Sequence, residues 1–200
     1  MLQGASGAIE ALRDAPETPS KGIAVICHPH PLFGGTMDNK VVQTLARAFV
    51  QTGWTALRFN FRGIGQSAGV YDEGRGEADD LRGLIMQLAP AGSALAIAGF
   101  SFGSFVASQV LQEAALSHDL QKIVFVGTAA ERFAVQPIPA ELHEKLLAVH
   151  GENDDTVSLA SVMSWARPQN LPITVVPQGG HFFHGQLPLL RSLVARHLNS

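Results

Sequence analysis

The chain has 200 residues, of which 46% are hydrophobic and 16% charged, with a formal net charge of −3. That length suits one domain with one sizeable core, and the composition excludes disordered and fibrous chains. With Lys and Arg scattered along the chain, no basic tract is available for nucleic acid or an anionic membrane surface, so the expected partner is a small molecule.

A lone cysteine, Cys27, cannot form an internal disulfide, and no cationic leader followed by an apolar run opens the chain. The expected localisation is cytoplasmic. Every apolar stretch is broken by Gly, Arg, Asn or Pro before the ~20 residues that a membrane span needs, so no transmembrane segment is expected.

In chain order, Gly4 and Gly7 bracket a turn, and Ile9 to Arg13 is expected to pair back as an antiparallel hairpin at a sheet edge. Short β-branched or apolar runs then alternate with segments of helical periodicity. The expected strands are Ile23 to Cys27, Thr55 to Asn60, Leu95 to Phe100, Ile123 to Val126, Leu146 to His150 and Ile173 to Val176. Val41, Val42, Leu45, Phe49 and Val50 form one helical stripe, Leu81, Leu84, Ile85 and Leu88 another, and a further helix is expected near Ser158. This alternation defines an α/β fold with a mostly parallel central sheet flanked by helices. No repeat, low-complexity tract or linker divides residues 1–200, which read as a single domain.

The strongest chemical signal is Gly99-Phe100-Ser101-Phe102-Gly103, between an apolar strand and a helical stretch carrying Phe105, Val106 and Val110. A serine on such a tight strand-to-helix turn is held strained and pushed outward, which is the nucleophile-elbow pattern. The bland reading is a glycine-bounded strand end with an ordinary serine. What weighs against it is order: in this fold a nucleophilic serine is followed by Asp or Glu and then by His, each past a later strand.

The acid lies in His150-Gly151-Glu152-Asn153-Asp154-Asp155, just past a strand's C-terminal end, the rim where open α/β sheets place their sites. Asp154 is taken as the acid, with Asp155 free to help the turn into the next helix. The base lies in Gly179-Gly180-His181-Phe182-Phe183-His184-Gly185. His181 is chosen as general base, and His184 is left to face solvent or a core carbonyl. Backbone donors for a developing oxyanion are expected from Phe102, after the nucleophile, and from the loop His28 to Gly35. Neither Pro29 nor Pro31 can donate, which leaves His30, Leu32 and Phe33, with Leu32 preferred.

On these residues the chain resembles the α/β-hydrolase superfamily, and most of all its small, lidless, dienelactone-hydrolase-like bacterial members. The resemblance spans nearly the whole length. It is carried by GFSFG, by HPHPLFGGTMDNK from His28, NFRGIGQSAG from Asn60, GENDD from Gly151 and GGHFFHG from Gly179. It implies triad roles for Ser101, Asp154 and His181, and a structural loop beside the site for Asn60, Arg62, Gly63 and Gly65. Dienelactone hydrolases use cysteine where this chain has Ser101, so their lactone activity does not carry over. Many relatives insert a lid after the strand here expected at Ile123 to Val126. Only roughly a score of residues follow before Leu146, too few for an independent domain. An open site with little apolar surface, favouring small or polymer-tethered esters, is therefore expected.

The expected activity is cleavage of an ester or similar acyl bond through an acyl-enzyme, with a small-molecule acyl substrate and no cofactor. Other readings are weaker. Gly63-Ile64-Gly65-Gln66-Ser67-Ala68 imitates a dinucleotide fingerprint, but it does not follow the first strand and lacks the ribose-binding acid. His28, His30, His181 and His184 share no carboxylate or cysteine spacing that suits a metal, and no metal is expected. A catalytically idle hydrolase fold serving as an interaction module is the alternative from another class.

Overall fold

The computed structural model describes residues 1–90, 92–113 and 119–200. Nine strands and five α-helices follow one another along the described chain. The strands are β1 (Leu2–Gly4), β2 (Gly7–Ile9), β3 (Ala11–Asp14), β4 (Ile23–Cys27), β5 (Thr55–Phe59), β6 (Leu95–Phe100), β7 (Leu120–Val126), β8 (Leu146–Gly151) and β9 (Ile173–Val176). The helices are α1 (Lys40–Gln51), α2 (Arg75–Leu88), α3 (Phe102–Val110), α4 (Leu159–Ala166) and α5 (Leu187–Asn199).

Seven strands form one sheet in the order β3-β5-β4-β6-β7-β8-β9. All neighbours in it are parallel except β3, which runs antiparallel to β5 with Ala11 opposite Phe59. The first residues depart from expectation. Gly4 and Gly7 do close a hairpin, but its arms are β1 and β2, which form a separate two-stranded sheet with Leu2 opposite Ile9. The edge strand is the next segment, β3. Two short antiparallel pieces thus stand where one hairpin was expected, because Ile9 is fully buried in the hairpin rather than shared with the edge strand. Strand β7 also starts three residues early, at Leu120, and β5 ends one residue early, at Phe59.

The interior strands are apolar on both faces because helices cover both, as a parallel sheet requires. Alternation sorts their side chains into two cores. Val25, Ile97, Ile123 and Phe125 point to the side covered by α2 and α3. Ala24, Ile26, Ala98, Phe100, Val124 and Val126 point to the side of α1 and α5. The stripe on α1 buries Val41, Val42, Leu45 and Phe49, while Asn39 caps the helix by accepting the Val41 N–H at 2.9 Å. A fully buried Phe such as Phe49 contributes roughly 1.5–3 kcal/mol through transfer from water.

The segment after β5 is fixed by buried polar contacts. Asn60 Oδ1 accepts the Met37 N–H at 2.9 Å, and Asn60 Nδ2 donates to Glu10 at 2.8 Å. Arg62 Nε donates to Asp80 at 2.8 Å, and the other Asp80 oxygen accepts the Ala5 N–H at 2.7 Å. Hairpin, loop and α2 are thereby tied together beside the C-terminal ends of the strands.

Folding also gathers cations that are scattered in sequence. Arg13, Arg47, Arg58 and Arg191 line one cleft of ≈ 670 Å³, where Arg58 is neutralised by Asp14 at 2.8 Å and Asp38 at 3.2 Å. No helix among the described residues is long and apolar enough to cross a membrane.

Candidate active site

Ser101 occupies the turn between β6 and α3 with φ 55° and ψ −116°, a strained conformation for a residue with a side chain. The turn is held from below, because the Ser101 N–H donates to the Val126 carbonyl at 2.8 Å. The two flanking glycines are required by close approach. A methyl group on Gly99 would stand 2.5 Å from the Gly103 backbone, and one on Gly103 would stand 2.3 Å from the Cys27 carbonyl oxygen. The Ser101 hydroxyl makes no hydrogen bond among the described residues, and α3 begins at Phe102 with its positive end beside it.

Asp154 follows β8, and His181 follows β9. Their contact is short: His181 Nδ1 donates to Asp154 Oδ2 at 2.7 Å, with both side chains buried. The other carboxylate oxygen, Oδ1, accepts the N–H groups of Thr156 at 2.9 Å and Val157 at 2.8 Å. Burial by itself raises the Asp154 pKa. The His181 hydrogen bond and charge, with the two backbone donors, outweigh burial and hold the carboxyl below its ordinary value. With Nδ1 committed as a donor, His181 Nε2 is left as an acceptor, and no other side chain among the described residues engages it. The ring packs on Phe100 at 4.9 Å, and a methyl group added to Gly127 would stand 3.2 Å from its Cε1.

Neighbouring alternatives stand elsewhere. Asp155 is exposed and accepts only from the Thr156 hydroxyl at 3.3 Å. His184 is exposed and stacks on Phe182. His150, at the end of β8, is buried; its Nε2 donates to the Val157 carbonyl at 3.0 Å and lies 3.7 Å from Asp154 Oδ2. Sequence reading passed over His150 because it looked like part of the strand.

The loop after β4 is built by two histidines. His28 Nδ1 donates to the Pro29 carbonyl at 2.6 Å, and His28 Nε2 accepts the Phe61 N–H at 3.0 Å, so the buried ring is neutral and clamps this loop to the segment after β5. Burial pushes its pKa down to about 4. Because the folded value is depressed, the unfolded chain binds the extra proton. Stability from this group is present above the ordinary histidine range and is lost as pH falls from about 6.5 to about 4. Urea unfolding across that range is expected to show a fall in stability that His28→Asn makes shallower. An equal slope in both proteins contradicts the clamp.

Leu32, the preferred oxyanion donor from sequence, is in the wrong place. Its side chain is 65% exposed, and its N–H is already donated to His30 Nδ1 at 3.2 Å. Phe33 and Gly35 donate to the His30 carbonyl. The His30 N–H is uncommitted among the described residues, and the His30 ring packs on Phe102 at 4.9 Å. The tight turn at Pro31 spends the Leu32, Phe33 and Gly35 amides on His30, so of the three donors weighed from sequence only the histidine's own amide stays available.

Ser101, Phe102, His181 and His30 line one cavity of ≈ 400 Å³. Its walls are more aromatic than an uncovered site led us to expect. Phe33, Phe133 and Phe182 line it, and Phe133 packs on Phe102 at 5.1 Å and stacks on Phe105 at 4.8 Å. Phe133 and its neighbour Arg132 come from the segment joining β7 to β8. Sequence reading missed both, although the one Phe, Tyr or Trp of that connection was the available signal. Among the described residues, no group of three or more His, Cys, Asp or Glu is placed to hold a metal ion.

Fold and site together define the α/β serine hydrolases without a lid. Residues 18–152 match the hydrolase family described as serine aminopeptidase, S33, and the chain belongs to that family. A protein of Rickettsia prowazekii (strain Madrid E) is 36% identical over 169 residues, which are 80% of this chain and 68% of that protein. The chain is similar to a lidless α/β serine hydrolase from Xanthomonas campestris, with a TM-score of 0.85 and 34% identity over 99% of this chain and 91% of the other. An α/β serine hydrolase homologue from Coxiella burnetii gives 0.84 and 34%, over 98% and 95%.

Proposed function

We propose that this hydrolase cleaves esters through an acyl-enzyme, with Ser101 as nucleophile, His181 as general base and Asp154 as the residue that positions the imidazole. The observation that carries this is the 2.7 Å bond from His181 Nδ1 to Asp154, made beside the cavity where the strained Ser101 hydroxyl stands unpartnered. The bond leaves Nε2 as the proton acceptor. As Ser101 Oγ attacks the acyl carbon, Nε2 takes the hydroxyl proton, and the carbonyl oxygen becomes an oxyanion. The N–H of Phe102 and that of His30, in place of Leu32, receive that charge. Collapse expels the alcohol, which takes the proton from His181. Water then attacks the acyl carbon as His181 takes its proton, and the bond to Ser101 Oγ breaks as His181 returns that proton to Oγ, releasing the acid.

The family description names an aminopeptidase, whose substrate presents a free ammonium group. No Asp or Glu lines this cavity, whereas Arg132 does, and an ammonium there meets no counter-charge. Ester chemistry fits these walls better.

A fluorophosphonate probe tests the reading. Intact-mass analysis of the native protein is expected to show a single adduct on Ser101, with no adduct on Ser101→Ala. Labelling of that variant to the same extent refutes the nucleophile. Absence of labelling in the folded native protein supports the idle scaffold instead.

A further inference from the structure

We propose that Arg132 reads a carboxylate on the substrate, so that the preferred ester has a flat apolar body bearing a negative charge. The inference rests on the hydrolytic reading of this cavity and names its substrate class.

Among the cavity-lining residues, Arg132 is the one Lys or Arg, and no Asp or Glu accompanies it. Its guanidinium makes no ion pair or hydrogen bond among the described residues. The adjacent acid, Glu131, feels the charge of Arg132 but makes its hydrogen bond elsewhere: its carboxylate accepts the Ser158 N–H at 2.8 Å. Arg132 also acts on the cavity electrostatically. The His30 pKa lies below its ordinary value, chiefly through burial and further through the charge of Arg132. A cation so placed, with planar donors and no protein acceptor, suits a carboxylate held by two parallel hydrogen bonds.

The walls dictate the rest of the ligand. Phe33 is 77% exposed and meets His30 edge-on at 4.8 Å, while Phe133 stands across at 5.6 Å from the same ring. These faces favour a ring over a flexible chain, because stacking on fixed aromatics orders few rotors. The volume of ≈ 400 Å³ admits a substituted aromatic ester.

Two matched pairs of esters test the proposal. In the first, 4-nitrophenyl 4-carboxybenzoate and 4-nitrophenyl 4-methylbenzoate differ in charge on the acyl half. In the second, 4-carboxyphenyl acetate and 4-methylphenyl acetate differ on the alcohol half. The readout is the ratio of kcat/KM, anionic over neutral, in native protein relative to Arg132→Gln, which cancels intrinsic reactivity. For at least one pair this relative ratio is expected to be roughly five- to tenfold, carried mostly by KM and shrinking as salt is added. The pair that responds identifies which half carries the charge. Arg132→Lys should recover part of the preference, and Arg196→Gln, on the far helix α5, should leave it unchanged. A relative ratio near one for both pairs overturns charge reading while leaving ester hydrolysis standing. No turnover of any of the four esters by protein that also fails to label overturns both.

Discussion

Asp154→Asn is expected to fold normally and to lose on the order of 10⁴ in kcat on an aryl ester. The reason lies in how the carboxylate is held. One oxygen, Oδ1, accepts two backbone N–H groups, from Thr156 and Val157, and only an oxygen can stay there. An asparagine must therefore turn its amide nitrogen toward His181. That nitrogen donates, so His181 Nδ1 must become the acceptor, and the ring proton moves to Nε2, where a base is needed. The imidazolium formed during attack also loses its buried counter-charge. Asp155→Asn is expected to change kcat little, because its carboxylate is exposed and touches only the Thr156 hydroxyl. Both variants are measured on one ester, with circular dichroism as the folding control. Should Asp155→Asn prove the more damaging while both remain folded, the two residues exchange roles.

The central strands β4, β5 and β6 were legible because every residue in them is buried, so apolar runs bounded by Gly, Asn or His left little choice of element. β4, β6 and β8 began where they were expected, and β8 ran one residue further. The hairpin at the start was blurred because Ile9 and Ala11 carry equally apolar signals, and only tertiary burial decides which strand each joins. The start of β7 was missed because Gln121 and Lys122 look like loop, yet Leu120 and Lys122 pair with β6 and the exposed Gln121 bulges between them.

In the candidate site, the positions of Ser101, Asp154 and His181 past the ends of β6, β8 and β9 were legible from chain order. The uncommitted amide of the loop after β4 was not. Choosing among His30, Leu32 and Phe33 depends on which N–H groups the 3₁₀ turn consumes, and that is a property of backbone geometry rather than residue type. Arg132 and Phe133 lie far from the motifs in sequence and enter the cavity only because the β7–β8 connection folds over Phe102. Local pattern carries no information about such an approach.

The glycine after the elbow carries the largest expected effect on stability. Gly103 lies in the first turn of α3, where the helix crosses the end of β4 so closely that a methyl group would stand 2.3 Å from the Cys27 carbonyl oxygen and 2.8 Å from that of His28. Both obstacles are backbone, pinned by the sheet and by the His28 clamp, so neither can swing aside as a flexible side chain would. Gly103→Ala must then lift α3 away from β4. The expected result is a loss of roughly 1–3 kcal/mol of stability in urea unfolding, the range for overpacked interiors. Turnover should fall further than stability alone explains. Ser101 and Phe102 travel with α3 while His30 stays with the loop after β4, and a displacement of the order of 1 Å between them is enough to cost about 10²-fold in rate. Gly92→Ala separates this packing effect from simple backbone strain. Gly92 has positive φ, 86°, which the helical Gly103 lacks, and nothing lies within 4 Å of an added methyl group. That variant should lose only roughly 1 kcal/mol and keep its turnover. Equal stability and equal kcat for Gly103→Ala and the native protein would show that α3 can move freely, and that the placement of Ser101 against the His30 amide does not depend on this contact.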